Sequence, residues 1–243
     1  MKRLFRAIST PAARSGAFYY FGNFFLSFSR YLFHLILLRL LIPAEYGEFL
    51  SYLSLIYLLS IPTNTIASVV TKFVSDFRGK NDTVSINRFF YYLLKVISPI
   101  TLFLGISLIF FSSPLAGIFK AHSMAFIVLG VSVFISLFQT IVNSYIIAFQ
   151  KFAFQTIVGF LGVIATILLS VLFIKVGLNA TGAVLGQLLG GAITSIVLFI
   201  SIRRSVFPKV DQIKKEKFNL MGFTGYSFIF ALGSASLISV DVL

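Results

Sequence analysis

Residues 152–174, FAFQTIVGFLGVIATILLSVLFI, and residues 180–202, ATGAVLGQLLGGAITSIVLFISI, are two apolar runs without a charged side chain. Only Lys175, Val176, Gly177, Leu178 and Asn179 separate them. At about 1.5 Å of rise per residue, each run as a helix exceeds the roughly 30 Å hydrocarbon core of a bilayer. So short a connection leaves the two helices no arrangement but antiparallel neighbours. Working outward, comparable runs occupy 17–41, 48–70, 89–111 and 124–148, and a seventh starts near 220. The gap at 149–151 is as short as that at 175–179, so the fourth and fifth helices are also expected to pair.

The fold class read from this pattern is all-α, a polytopic helical membrane protein. Six transmembrane helices over 17–202 form a lobe, preceded by a basic N-terminus over 1–16. A basic linker over 203–219 follows, and 220–243 starts a seventh helix. The chain ends Val240-Asp241-Val242-Leu243, without a stop-transfer charge or turn residue. We therefore expect one lobe of a two-lobed transporter, the other reading being a natural seven-span protein.

Charge agrees with this threading. Of twenty Lys and Arg residues, Lys2, Arg3, Arg6 and Arg14 lie before the first run. Lys72, Arg78, Lys80 and Arg88 lie between the second and third. Lys151 lies between the fourth and fifth, and Arg203, Arg204, Lys209, Lys214, Lys215 and Lys217 follow the sixth. The alternate gaps hold only Lys120 and Lys175, with Glu45 and Glu48. Cationic loops resist translocation, so the N-terminus is expected in the cytoplasm. The first run carries Arg30 and His34 and lacks a small-x-small cleavage site, so it reads as a retained span and not as a signal peptide.

Composition excludes most other classes. With 58% apolar and 11% charged residues and a mean hydropathy of +0.99, the chain has far more apolar surface than a soluble core needs. A net charge of +13 would suit nucleic acid, but it sits at helix ends on one side, where anionic lipid headgroups account for it. There is no cysteine, which removes disulfides and thiolate metal sites. No P-loop, nucleophile elbow or intramembrane carboxylate pair is present, and Asp76 and Asp82 are the acidic pair of the basic 71–88 loop. Neither an enzyme nor a cofactor or metal is expected.

Polar residues within the spans supply the candidate site. At 100° per residue, Asn23, Ser27, Arg30 and His34 share one stripe of the first helix. An arginine at mid-span costs roughly 2.5–3.5 kcal/mol on the insertion scale, so this stripe needs protein or water in front of it. His34 is either a packed, hydrogen-bonded histidine or a group that titrates near neutrality and couples protons. Arg39 lies about 180° from Arg30 and, near the helix end, snorkels or adds to a cavity's charge. Lys95, two turns into the third helix, offers the same two readings. Ser132, Ser136, Gln139 and Asn143 form one face of the fourth helix, either as interhelical glue or as the lining of a hydrated cavity. Pro62, followed by Thr63, Asn64 and Thr65, predicts a kink, static or hinged. Gly182, Gly186, Gly190 and Thr194 recur every fourth residue and predict close packing, with Gly159, Gly162, Thr166 and Ser170 as complements.

The stretch Leu38-Arg39-Leu40-Leu41-Ile42-Pro43-Ala44-Glu45-Tyr46-Gly47-Glu48-Phe49 resembles the A-R-x-L-G-P-x-x-Y-G-x-F signature of polysaccharide-transporter flippases. These belong to the multidrug/oligosaccharidyl-lipid/polysaccharide exporter superfamily. Leu38 and Ile42 depart from the pattern, while helix spacing, the basic linker and the Gly225-Tyr226-Ser227 opening of the seventh run extend it over the whole chain. The resemblance implies two six-helix lobes around a cationic cavity that receives undecaprenyl-diphosphate-linked oligosaccharide, such as an O-antigen or lipopolysaccharide unit. It further implies alternating access in the bacterial inner membrane. The implied partners are that substrate, membrane lipids, a polysaccharide polymerase and glycosyltransferases, with no nucleic acid.

On that reading the cavity candidates are Arg30, His34, Asn23, Arg39, Lys95, Gln139 and Asn143, with Pro62, Gly182, Gly186 and Gly190 as hinge and packing positions. Two other functions stay open: a multidrug or organic-ion exporter, which calls for intramembrane acids, and a scaffold or assembly subunit. The scaffold reading requires the polar stripes of the first and fourth helices to seal against each other.

Overall fold

The computed structural model describes residues 11–119 and 122–206, and among them every regular element is a helix. In chain order these are α1 (Pro11–Leu40), α2 (Pro43–Gly79), α3 (Thr83–Phe110), the short α4 (Ser112–Phe119), α5 (Ser123–Ala148), α6 (Phe152–Phe173) and α7 (Asn179–Val206). The expected N-terminal tail up to residue 10, and the linker and seventh span from 207 onward, lie outside the described residues.

Tyr19–Leu40, Thr83–Phe110, Ser123–Ala148 and the 52-residue stretch Phe152–Arg203 are long and apolar enough to cross a membrane. The bent pair Pro43–Tyr57 and Pro62–Gly79 makes a fifth such stretch. The 52-residue stretch is a helical hairpin, so the six expected spans correspond to four such stretches plus one bent pair, with the short α4 as an additional helix. A π turn over Ile174–Leu178 joins α6 to α7, and Gly177 there has φ 94°, a left-handed conformation that glycine adopts at no steric cost.

The small-residue ladder fixes the hairpin. A Cβ built on Gly186 would lie 2.0 Å from Ser170 Oγ and 2.5 Å from its backbone nitrogen. One on Gly190 would lie 2.0 Å from Thr166 Oγ1, and one on Gly162 2.0 Å from Thr194 Oγ1. Gly182 meets the backbone of Phe173 and Ile174 at 3.0–3.1 Å. The pairing runs antiparallel with the expected partners, except that Gly159 faces Leu26 of α1 at 3.3 Å instead of α7. A second close approach was not foreseen: Gly105 of α3 and Gly130 of α5 meet backbone to backbone.

Helix bounds differ from the apolar runs for a physical reason. The 71–88 stretch, read as a loop, is mostly helix, because α2 continues to Gly79 and α3 resumes at Thr83. Charge ends a segment's compatibility with lipid but leaves its backbone hydrogen bonds intact. Asp82 caps α3 by accepting from the Ser85 N–H at 3.0 Å, and this pairing with Ser85 holds its carboxyl below the usual value. At the other end α2 begins at Pro43 and not 48, with proline in the first turn, where its missing N–H costs nothing. The kink expected at Pro62 is present, the two halves of α2 meeting at 44°.

Two dry clusters form at opposite ends of the bundle. One gathers Val70, Val74, Phe89, Phe90, Tyr145, Ile146 and Ile202, with the Tyr145 hydroxyl donating to the Ile86 carbonyl at 3.1 Å. The other gathers Phe33, Leu37, Phe49, Tyr52, Phe126, Leu129, Ala180 and Val184. Basic residues tie down helix ends beside the first: Arg78 donates to the Ala148 carbonyl at 3.0 Å and Lys151 to that of Ser201 at 3.2 Å. Beside the second, Glu48 accepts from the Tyr52 hydroxyl and from the His122 N–H, joining the starts of α2 and α5. On α2, α5 and α7 alike, the residues between these clusters belong to neither.

Candidate functional site: a polar cleft at mid-depth

That middle zone is a cleft. Its first compartment, about 220 Å³, is walled by Ile56 and Thr63 of α2, Ser132, Ser136 and Gln139 of α5, and Gln187 and Gly191 of α7. The second, about 280 Å³, is walled by Leu26, Arg30 and Phe33 of α1, Gly159, Gly162 and Thr166 of α6, and Gln187, Gly190 and Thr194 of α7. Gln139, Gln187 and Gly191 line both, so the compartments adjoin. Gly191 makes this possible, since a Cβ there would sit 3.2 Å from Gln139 Oε1.

Each wall follows from local sequence. The kink at Pro62 carries Thr63 to the cleft. The glycine ladder brings α6 and α7 so close that their backbones and threonine hydroxyls form the back wall. Helix α1 packs along α6 and meets α2 near their connection, where Phe33 and Leu37 reach Phe49. Arg30 lies ten residues before Leu40, hence about 15 Å from that helix end and near the middle of a bilayer core. Its side chain is exposed to the cleft and not packed in a dry seam.

Among the described residues Arg30 is the single charged side chain on the wall, and no carboxylate among them lines either compartment. The remaining polar groups are the Gln139 and Gln187 amides and the hydroxyls of Thr63, Ser132, Ser136, Thr166 and Thr194. Ser132 and Ser136 donate within α5, to the carbonyls of Leu129 at 2.7 Å and Val133 at 2.9 Å. Such a site offers a guanidinium fork to an anion and neutral donors and acceptors to whatever the anion carries.

The expected residues divide. Arg30 and Gln139 come together on the cleft, with Pro62 beside it and Gly190 in its wall. Gly182 and Gly186 pack the hairpin. Asn143 is interhelical glue, its Oδ1 accepting from Gln155 Nε2 at 2.8 Å. Asn23 donates to the Tyr19 carbonyl of its own helix at 2.9 Å and stays off the wall. His34 lies 3.2 Å from the Tyr46 hydroxyl and packs against Phe49, also off the wall. Arg39 is exposed in the last turn of α1. Lys95 is exposed on α3, which supplies nothing to the cleft.

Gln187 and the cleft-facing roles of Thr166 and Thr194 were not foreseen. Gln187 had a signal: it is the one amide in an otherwise apolar and small-residue run over 180–202, and a lone amide at membrane depth needs a partner or water. No family model, curated protein or solved structure matches the chain.

Proposed function

We propose that this chain is the N-terminal lobe of a membrane exporter that flips a lipid-linked oligosaccharide, with a diphosphate in its headgroup, across the bacterial inner membrane. The N-terminus is cytoplasmic, and access to the cleft alternates between the two leaflets. The observation that carries the reading is Arg30: a guanidinium with no carboxylate beside it among the described residues, on the wall of a mid-depth cleft whose other polar groups are amides and hydroxyls. A phosphate ester with sugars attached complements that lining in both charge and hydrogen-bonding capacity. The lipid tail remains in the bilayer while the headgroup crosses. The 38–49 signature points to the same substrate class, and polymerase and glycosyltransferases act before and after this step.

An exporter of organic cations calls for a carboxylate on the cleft, and a scaffold calls for Arg30 and Gln139 to seal against each other. The lining described above favours neither. The test is complementation of a strain lacking its flippase, using the full-length gene. Arg30→Ala is expected to abolish surface polysaccharide with membrane abundance unchanged. Arg30→Lys is expected to restore only part of it, because an ammonium lacks the bidentate fork. Full export by Arg30→Ala overturns the proposal.

A further inference from the structure

We propose that the first compartment of the cleft is a sugar subsite, which takes the ring next to the diphosphate and selects one without charge. The inference rests on the transport reading and adds which part of the substrate each compartment receives. Arg30 lines the second compartment and not the first. The first, about 220 Å³, has neither cation nor carboxylate among its described lining residues. That space is many times the roughly 10–15 Å³ a lone water needs, so it admits a group of ring size.

The hydrogen-bonding capacity of the wall names the occupant. Gln139 and Gln187 stand where the two compartments meet, and neither amide has a hydrogen-bond partner among the described residues. Each amide both donates and accepts. The Ser132 and Ser136 hydroxyls give their hydrogens to the carbonyls of Leu129 at 2.7 Å and Val133 at 2.9 Å, so toward the open space they only accept. A sugar hydroxyl donates to such oxygens and accepts from the amides. Ile56, Val184 and Leu188 add apolar surface for the C–H face of the ring.

Charged sugars fit this wall poorly. The carboxylate of a uronic acid only accepts. Against the serine oxygens it finds no proton, and among the described residues no cation lines the compartment. A protonated amino sugar finds no carboxylate there. Either charge would lie unpaired at membrane depth, which is costly. Because the compartments share Gln139, Gln187 and Gly191, a diphosphate at Arg30 sets the first ring of the same molecule across the glutamines.

The experiment uses the full-length protein in mild detergent and measures Kd for three probes: farnesyl diphosphate, its glucosyl conjugate and its glucuronosyl conjugate. The wild type is expected to bind the glucosyl conjugate about tenfold more tightly than farnesyl diphosphate, as two net hydrogen bonds would give. It is expected to bind the glucuronosyl conjugate at least tenfold more weakly than the glucosyl one. In the Gln139→Leu/Gln187→Leu double variant the glucosyl advantage is expected to disappear. Arg30→Ala is expected to weaken all three probes while keeping that advantage. Ser136→Lys places a cation in the first compartment alone and is expected to reverse the preference toward the glucuronosyl conjugate. Wild-type binding of the two conjugates alike, a glucosyl advantage that survives loss of both amides, or an unchanged preference in Ser136→Lys each overturns the subsite. If those results come with Arg30-dependent binding of farnesyl diphosphate, the transport reading stands without the subsite. Binding of none of the three probes overturns both.

Discussion

Gly186→Ala tests the hairpin that builds the back wall of the cleft. The added Cβ would meet Ser170 at 2.0 Å from Oγ, 2.5 Å from N and 2.7 Å from Cα. Turning the serine side chain relieves only the first of these. The other two are backbone atoms, so α6 and α7 must separate by something on the order of 1 Å to restore ordinary contact. Overpacking of that kind costs about 1–3 kcal/mol. Better helix propensity returns up to about 1 kcal/mol of it. The expected net loss is about 1–2 kcal/mol, together with reduced export because Gly190 and Thr194 move with the helix.

Two controls sharpen the test. Gly47→Ala gains propensity with nothing within 4 Å of the new Cβ, so its stability is expected to be unchanged or raised. Ser170→Ala added to Gly186→Ala removes the hydroxyl clash but leaves the backbone clash, so rescue is expected to be partial. Because the chain has no tryptophan, unfolding in sodium dodecyl sulfate is followed by far-ultraviolet circular dichroism. Wild-type stability in Gly186→Ala alongside a loss in Gly47→Ala would refute the register described here.

Three further outcomes are expected. Gln139→Leu removes the amide shared by both compartments and is expected to lower export in the complementation assay at least as far as Ser136→Ala, while membrane abundance holds. Tyr145→Phe deletes the buried hydrogen bond to the Ile86 carbonyl and is expected to cost about 0.5–1.5 kcal/mol in the same unfolding assay. Asp82→Ala removes the cap of α3 and is expected to cost about 1 kcal/mol. Its carboxyl is held below 3.8 in the fold, so the cap's contribution is present at neutral pH and is lost as pH falls through that lowered value. The Asp82→Ala deficit is therefore expected to shrink on acidification, read from unfolding midpoints between pH 6 and pH 3.

Much of the architecture was legible because it rests on periodicity within one helix. A small residue at every fourth position states both that a neighbour comes close and which face it meets, and Gly186 with Ser170 followed. Pro62 announced its bend through a missing donor. The polar stripes were legible only halfway, since a helical wheel says which side chains share a face and not what stands opposite. Asn143 and Gln139 share a face, yet Asn143 meets Gln155 while Gln139, one turn earlier, meets open space. Asn23 satisfies itself on its own backbone, a local bond that no angular argument detects. Lys95 was grouped with Arg30 on charge alone, although α3 and α1 lie on different sides of the bundle.

The separation of the two apolar clusters has a mechanical consequence. Interlocked side chains stiffen a helical bundle, so this one has two stiff caps joined by a girdle that is close-packed along α6 and α7 and open toward α2. Its long helices cross that girdle, and α2 does so with a broken backbone ladder at Pro62. A torque applied to one cap is therefore absorbed at the girdle as a change in the size of the opening there, and the opposite cap keeps its packing.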